Sequence, residues 1–135
     1  MIEMYAIKGV IKMTIEYIQI DHIQICVPID SIHRAKDFYI RILGFREIKK
    51  QKSLQKNGGF WCQAGKIQLH IGVEEVVPHK SKRHPAFEVQ SIEQARKHLT
   101  KYGVKIYEET EIPGVIRFSI RDPFGNRIEL LEKKN

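Results

Sequence analysis

Apolar and polar residues alternate from Ile18 to Val27, and Pro28 closes the run, so the pattern predicts a strand. Ser31 stands where a cap would open a helix continuing to Leu43, and Gly44 supplies a left-handed stop. Within that helix Ile32, Ala35, Phe38, Tyr39 and Ile42 recur at helical spacing, and this stripe is expected to pack on a sheet. Phe45–Lys49 and Phe60–Ala64 have strand character. Gly65-Lys66 is a hairpin signal, and Ile67–Val73 reads as the returning strand.

The same order then recurs. His84–Val89 predicts a strand, Ser91 and Gln94 have capping-box spacing, and a helix runs to Tyr102 before Gly103. Val104–Tyr107, Val115–Arg121 and Asn126–Leu131 follow as strands, the last two joined by the tight-turn chemistry of Asp122-Pro123-Phe124-Gly125. The two halves overlay with little drift. His22 to His84 is 62 residues, Ser31 to Ser91 is 60 and Gly44 to Gly103 is 59. Ile67-Gln68-Leu69 matches Ile128-Glu129-Leu130 at 61. Each half is β-α-β-β-β, so the chain is a tandem repeat of one supersecondary unit in an α+β domain. The domain is expected over residues 17–132, with modules at about 17–77 and 83–132, and residues 1–16 as an N-terminal extension.

Composition narrows the class. A chain of 135 residues is long enough for one core and too short for two independent ones. No apolar run approaches the roughly 18 residues that span a bilayer. The N-terminus lacks a basic segment followed by a long apolar stretch, so no signal peptide is expected. Cys26 and Cys62 have no CxxC spacing and read as thiols of a reducing cytoplasm. The net charge of +7 is concentrated at Arg46–Lys56 and His79–His84. No helix-turn-helix, zinc-finger or aromatic RNA-binding motif accompanies it, so solvated lysine-rich loops are expected, with no nucleic-acid or membrane partner.

Strand side chains alternate between faces. In the first strand Ile23, Ile25 and Val27 share one face, and His22, Gln24 and Cys26 the other. Its repeat sets Pro85, Phe87 and Val89 against His84, Ala86 and Glu88. Ile67, Leu69 and Ile71 alternate with Gln68 and His70, while Ile128 and Leu130 alternate with Arg127 and Glu129. The apolar faces belong under the helices. The opposite faces carry His22, Gln68, His70, His84 and Glu129, and buried polar groups need partners. Either that surface is wet, or these groups converge on something. Arg117, Ser119 and Arg121 also share one strand face, where an arginine could grip a carboxylate or phosphonate. Phe60 and Trp61 either wall a pocket or fill the core.

Four segments together resemble the vicinal-oxygen-chelate superfamily of glyoxalase I, fosfomycin-modifying enzymes, extradiol dioxygenases and bleomycin-binding proteins. They are Asp21-His22-Ile23, Ala35-Lys36-Asp37-Phe38-Tyr39 with Leu43-Gly44-Phe45, His84-Pro85-Ala86-Phe87-Glu88-Val89, and Arg121 through Leu130. The resemblance implies paired sheets forming a cup around one divalent metal. Its ligands, matched position by position, are His22, Gln68, His84 and Glu129. Gln68 departs from the glutamate common there and cannot act as a base, which removes a two-glutamate proton shuttle. The remaining two imidazoles and one carboxylate suit iron, manganese, nickel or zinc. His70 is a replacement ligand, second-layer donor or general base, and Arg117, Arg121 and Trp61 are candidate substrate contacts. The implied activity is glyoxalase-like lyase, isomerase or thiol-transfer chemistry on a small oxygen-chelating substrate. A non-catalytic antibiotic-binding role and extradiol ring cleavage are the alternatives. The resemblance also implies a homodimer, with the cup drawing ligands from both subunits.

Overall fold

The computed structural model describes residues 15–75 and 81–135. Most of the expected extension lies outside the described residues, as do the first module's boundary near residue 77 and His79 of the basic run. Each half forms one four-stranded mixed sheet, and the two sheets have the same order. The first module comprises β1 (Ile23–Val27), β2 (Arg46–Ile48), β3 (Phe60–Ala64) and β4 (Ile67–Val73), arranged β1-β4-β3-β2. The second comprises β5 (Ala86–Glu88), β6 (Tyr107–Glu108), β7 (Val115–Arg121) and β8 (Arg127–Lys133), arranged β5-β8-β7-β6. The first strand of each module runs parallel to the last, and the other pairings are antiparallel.

The apolar strand faces read from the chain form the core, and His70, Ser119 and Glu129 on the opposite faces are buried as well. Leu69, Ile71, Phe118, Ile120 and Ile128 are shielded from water and meet the apolar stripes of the helices. Burial of each such side chain stabilises the fold by about 1.5–3 kcal/mol. The first helix begins as α1 (Ile32–Lys36) and continues as a π turn over Asp37–Ile42, where Leu43 N donates to Phe38 O. The second, α2 (Ile92–Lys101), contains no such turn. One extra residue in the π turn explains why the repeat separation falls from 60 at the helix starts to 59 at the terminating glycines.

Several expectations are corrected. The first strand starts at Ile23 rather than Ile18; Tyr17, Ile18 and Ile20 are exposed, and the pairing with β4 begins at Ile23 opposite Leu69. Ser31 makes no capping hydrogen bond, because a 3-10 turn at Ile29–Ser31 leads into α1. Ser91 does cap, its hydroxyl accepting from Gln94 N at 3.2 Å. β6 is only two residues long, and a 3-10 turn at Lys52–Asn57 was not anticipated.

A single hydrophobic core runs through both modules, and polar contacts lock the seam between them. The Tyr39 hydroxyl donates to Asp122 Oδ2 at 2.7 Å, and Asn126 Nδ2 donates to the carbonyl of Cys26 at 3.0 Å. On the other side His98 Nε2 donates to Ile42 O at 2.7 Å, and Phe45 and Phe87 pack with centroids 6.0 Å apart.

Candidate metal centre

The register of the parallel pairs places the polar residues. In the first sheet Gln24 lies opposite His70, and in the second Ala86 lies opposite Glu129. Gln24 and Ala86 each stand two residues beyond the histidine that opens its module. The counterpart of Glu129 in the duplicated sheet is therefore His70, 59 residues earlier, and not Gln68. The antiparallel pairings agree: Trp61 faces His70 as Ser119 faces Glu129.

These positions form two separate polar clusters. In the first, the His70 ring lies between His22 and Trp61, 3.9 Å from each centroid and nearly parallel to both. His22 Nδ1 donates to Asp21 Oδ2 at 2.8 Å, and His70 Nε2 donates to Gln68 Oε1 at 2.8 Å. Each contact ties up one ring nitrogen and leaves the other for a ligand, as a metal-binding imidazole requires. Burial lowers the His70 pKa from its ordinary value; the His22 and Lys50 charges act the same way, against an opposing pull from Asp21. The neutral ring thus favoured is the ligating form. The cluster lines a cavity of about 450 Å³ that Lys50 also borders.

In the second cluster Glu129 is almost wholly buried, and both its oxygens are engaged. Oε1 is 3.0 Å from His84 Nε2, and Oε2 accepts from Arg117 at 3.2 Å. His84 Nδ1 donates to Lys82 O at 2.7 Å, so Nε2 is the nitrogen directed at the carboxylate. Arg117 also donates to Thr110 O. Beside it Glu109 accepts from Ser119 Oγ and Arg127, both at 2.6 Å. The Ser119 hydroxyl first, and then the Arg127 and Arg117 charges, hold the Glu109 carboxyl below its ordinary pKa despite some desolvation.

The polar faces are therefore neither simply wet nor gathered at one point within the chain; among the described residues the buried polar side-chain atoms partner one another. His84 and Glu129 adjoin, whereas His22 sits with His70 and Gln68. Among the described residues no group of three or more His, Cys, Asp or Glu side chains could hold a metal ion. Of the candidate substrate contacts, Trp61 walls the first cavity and Arg117 touches Glu129. Arg121 donates to Gly125 O at 2.8 Å within its own hairpin and to Ser81 O at 3.5 Å. Phe60 is core. Glu109 and Lys50 were missed. Both lie in charged segments whose pattern resembles any solvated loop, and only Arg127, alternating with Ile128, carried a signal.

Tandem βαβββ units with imidazole and carboxylate side chains on the sheet faces turned away from the helices define a class of paired-module proteins. The chain belongs to the Glyoxalase/Bleomycin resistance protein/Dioxygenase superfamily, whose model matches residues 19–130. It is similar to a Bacillus anthracis protein assigned to the glyoxalase family, at 41% identity over 90% of this chain and 100% of that one, with a TM-score of 0.83. The fosfomycin resistance protein FosX of Listeria monocytogenes shares the fold at 16% identity, covering 88% of this chain and 96% of that one, TM-score 0.72. A variant of FosX crystallised with Mn(II) and 1S,2S-dihydroxypropylphosphonic acid is similar at 18% identity, covering 88% and 95%, TM-score 0.73. No protein of curated function matches the sequence. Among the described residues no helix is long and apolar enough to cross a membrane.

Proposed function

We propose that this is a glyoxalase-type enzyme dependent on a divalent metal, with the metal site completed between two copies of the chain. His22 and His70 of one copy face His84 and Glu129 of the partner subunit. The observation that carries this reading is the duplicated pair: equivalent positions, one just ahead of the first strand and one in the last strand, hold two imidazoles in one module and an imidazole with a carboxylate in the other. Each pair alone is too few, and together they make three nitrogens and one carboxylate, a set suited to zinc, nickel, manganese or iron. Gln68 holds His70 in orientation rather than ligating.

A divalent ion so held supplies Lewis acidity toward neighbouring oxygens of a small substrate. The chain's own groups do the rest. Trp61 walls the cavity for the substrate body, and Arg117 and Arg127 supply guanidinium groups for an anionic end. Gln68 cannot accept a proton as a base, and both His70 nitrogens are committed, one to Gln68 and one to the ion, so proton transfer falls to Glu129, the one carboxylate of the set. Lyase or isomerase chemistry on a thiol adduct, or addition of a thiol to an epoxide, fits these groups. Elemental analysis of untagged protein purified without added metal tests the reading, with light scattering at micromolar concentration. It expects about one ion per chain in a dimer and loss of turnover in His22→Ala and Glu129→Ala. Metal-free monomer with full activity refutes it.

One observation favours a second reading, a binding protein that sequesters a small molecule without transforming it. Arg117 and His84 each engage one oxygen of the Glu129 carboxylate, the partners an anion-binding pocket would use without a metal. That reading expects saturable ligand binding, no bound metal and tolerance of His84→Ala. Retained binding without metal selects it; loss of binding on metal removal eliminates it.

A further inference from the structure

The two modules meet along a seam with two duplicated sides, and only one side is plugged. On the first, the β7–β8 hairpin lies against the first module. Asp122 bonds Tyr39, Asn126 bonds the Cys26 carbonyl, and the Phe124 ring packs on the core under the Arg34 guanidinium, 5.1 Å from its centroid. The repeat separations of 62, 60 and 59 carry five positions of that side to the other. Cys26 corresponds to Glu88, Arg34 to Gln94, Ala35 to Ala95, Tyr39 to Leu99 and Phe124 to Gly65. All five counterparts line one groove of about 1000 Å³ on that second side. Where the first side has an aromatic plug, the second has a glycine in a two-residue hairpin, and Phe45, Phe87 and Leu130 wall the space. This volume is at the upper end for pockets that enclose drug-sized molecules.

We propose that the groove is a second ligand site, independent of the polar sheet faces, and that it takes a neutral aromatic small molecule whose ring occupies the place Phe124 fills on the opposite side. The chemistry of the lining selects that class. Lys66 and Glu88 offset each other, so the groove presents no net charge from its lysine and glutamate. The His98 Nε2 proton is already given to Ile42 O. Gln94 replaces Arg34, offering a polar amide edge to a ring where the other side offers a cation. Apart from Gln90 and Ser91 the remaining walls give apolar surface, which rewards a flat hydrophobic body more than an ion.

Indole is a suitable probe, titrated into the full chain and followed by ¹H–¹⁵N NMR. Shifts are expected in the Leu43–Phe45 segment, the Ala64–Ile67 hairpin and the Phe87–Ala95 segment, with Trp61, His70 and His84 unmoved. Ala95→Phe fills the groove from the helix side and Ile67→Trp from the hairpin side. Either variant that retains the wild-type NMR fold is expected to weaken indole binding by about tenfold or more, and His84→Ala to leave it unchanged. Shifts centred on the polar faces overturn the proposal, as does wild-type affinity in a folded filling variant. So does the absence of any shift at millimolar indole, or binding that appears only when dimers are diluted apart, which would make a second copy the occupant.

Discussion

If the metal site is shared between copies, two differently crippled chains must rescue each other. One chain carries His22→Ala and His70→Ala, which empties the stacked pair beside Trp61. The other carries His84→Ala and Glu129→Gln, which removes the second pair while keeping an amide near Arg117. Glutamine is chosen because deleting Glu129 would strand a nearly buried guanidinium; the amide limits the cost to about 1–3 kcal/mol. Each homodimer lacks half of both its sites. In a mixed dimer one site combines two damaged halves, and the other combines two intact halves. Random pairing of co-expressed chains makes about half the dimers mixed, so metal content should recover to about one quarter of wild type. The assay is elemental analysis of purified co-expressed protein against each variant alone, with circular dichroism confirming that all three are folded. A site built within one chain predicts no recovery, since neither chain carries both intact pairs, and that result would refute the shared site.

Tyr39→Phe removes the hydroxyl that ties the first helix to Asp122 across the seam, and is expected to cost about 1–2 kcal/mol in urea unfolding, since Asp122 keeps its bonds to Phe124 N, Asn126 N and Asn126 Nδ2. An unchanged midpoint contradicts that role for the seam. Cys62 is fully buried, and desolvation pushes its thiol pKa up to about 12; Ellman's reagent should reach it only on unfolding, and fast modification of Cys62 in native protein counts against the packing. Because the Glu109 pKa is lowered on folding, its contribution to stability is present above the ordinary carboxylate value and is lost as pH falls through the folded one. Glu109→Gln should therefore flatten the acid limb of a stability–pH profile, and an unaltered limb argues that Ser119 and Arg127 do not hold the carboxylate in solution.

Elements paired on both sides were legible almost to the residue. β4 runs over Ile67–Val73 and β7 over Val115–Arg121, as their alternation predicts, because each lies between two partner strands that enforce the period. Edges were not. Residues 18–22 alternate as well as any strand, yet pairing starts only at Ile23, and periodicity carries no record of how far a neighbour reaches. The π turn was hidden because one inserted residue leaves an apolar stripe almost intact, although the drop from 60 to 59 was its trace. The same separation of 59 extends to His70 and Glu129. Matching the apolar–polar–apolar triplets at 61 chose Gln68 instead, since a strand offers an equivalent face every second residue and the triplet cannot tell two such positions apart. Which face carries the chemistry was readable; which polar residues share a point was not, because that depends on how whole sheets are placed.

Reassigning the Glu129 counterpart from Gln68 to His70 changes the electrostatics of the proposed site. Neither residue brings a carboxylate, but an imidazole completes the donor set where an amide oxygen would bind more weakly. A divalent ion held by three neutral nitrogens and Glu129 alone keeps one uncancelled positive charge, and a site with two glutamates keeps none. Lys50 borders the first cavity, and Arg117 would lose half its reason to face Glu129 once an ion shares that carboxylate. All of these changes favour a negatively charged substrate over a neutral one. Metal-loaded protein should therefore bind a small phosphonate or carboxylate at least about tenfold more tightly than the matching neutral diol, a difference near 1.4 kcal/mol in calorimetry. Arg117→Met should narrow that gap by lowering the affinity for the anion alone. Equal affinities for the charged and neutral compounds would mean that the excess charge is satisfied from within the chain, and the case for an anionic substrate would fail while the shared metal site could still stand.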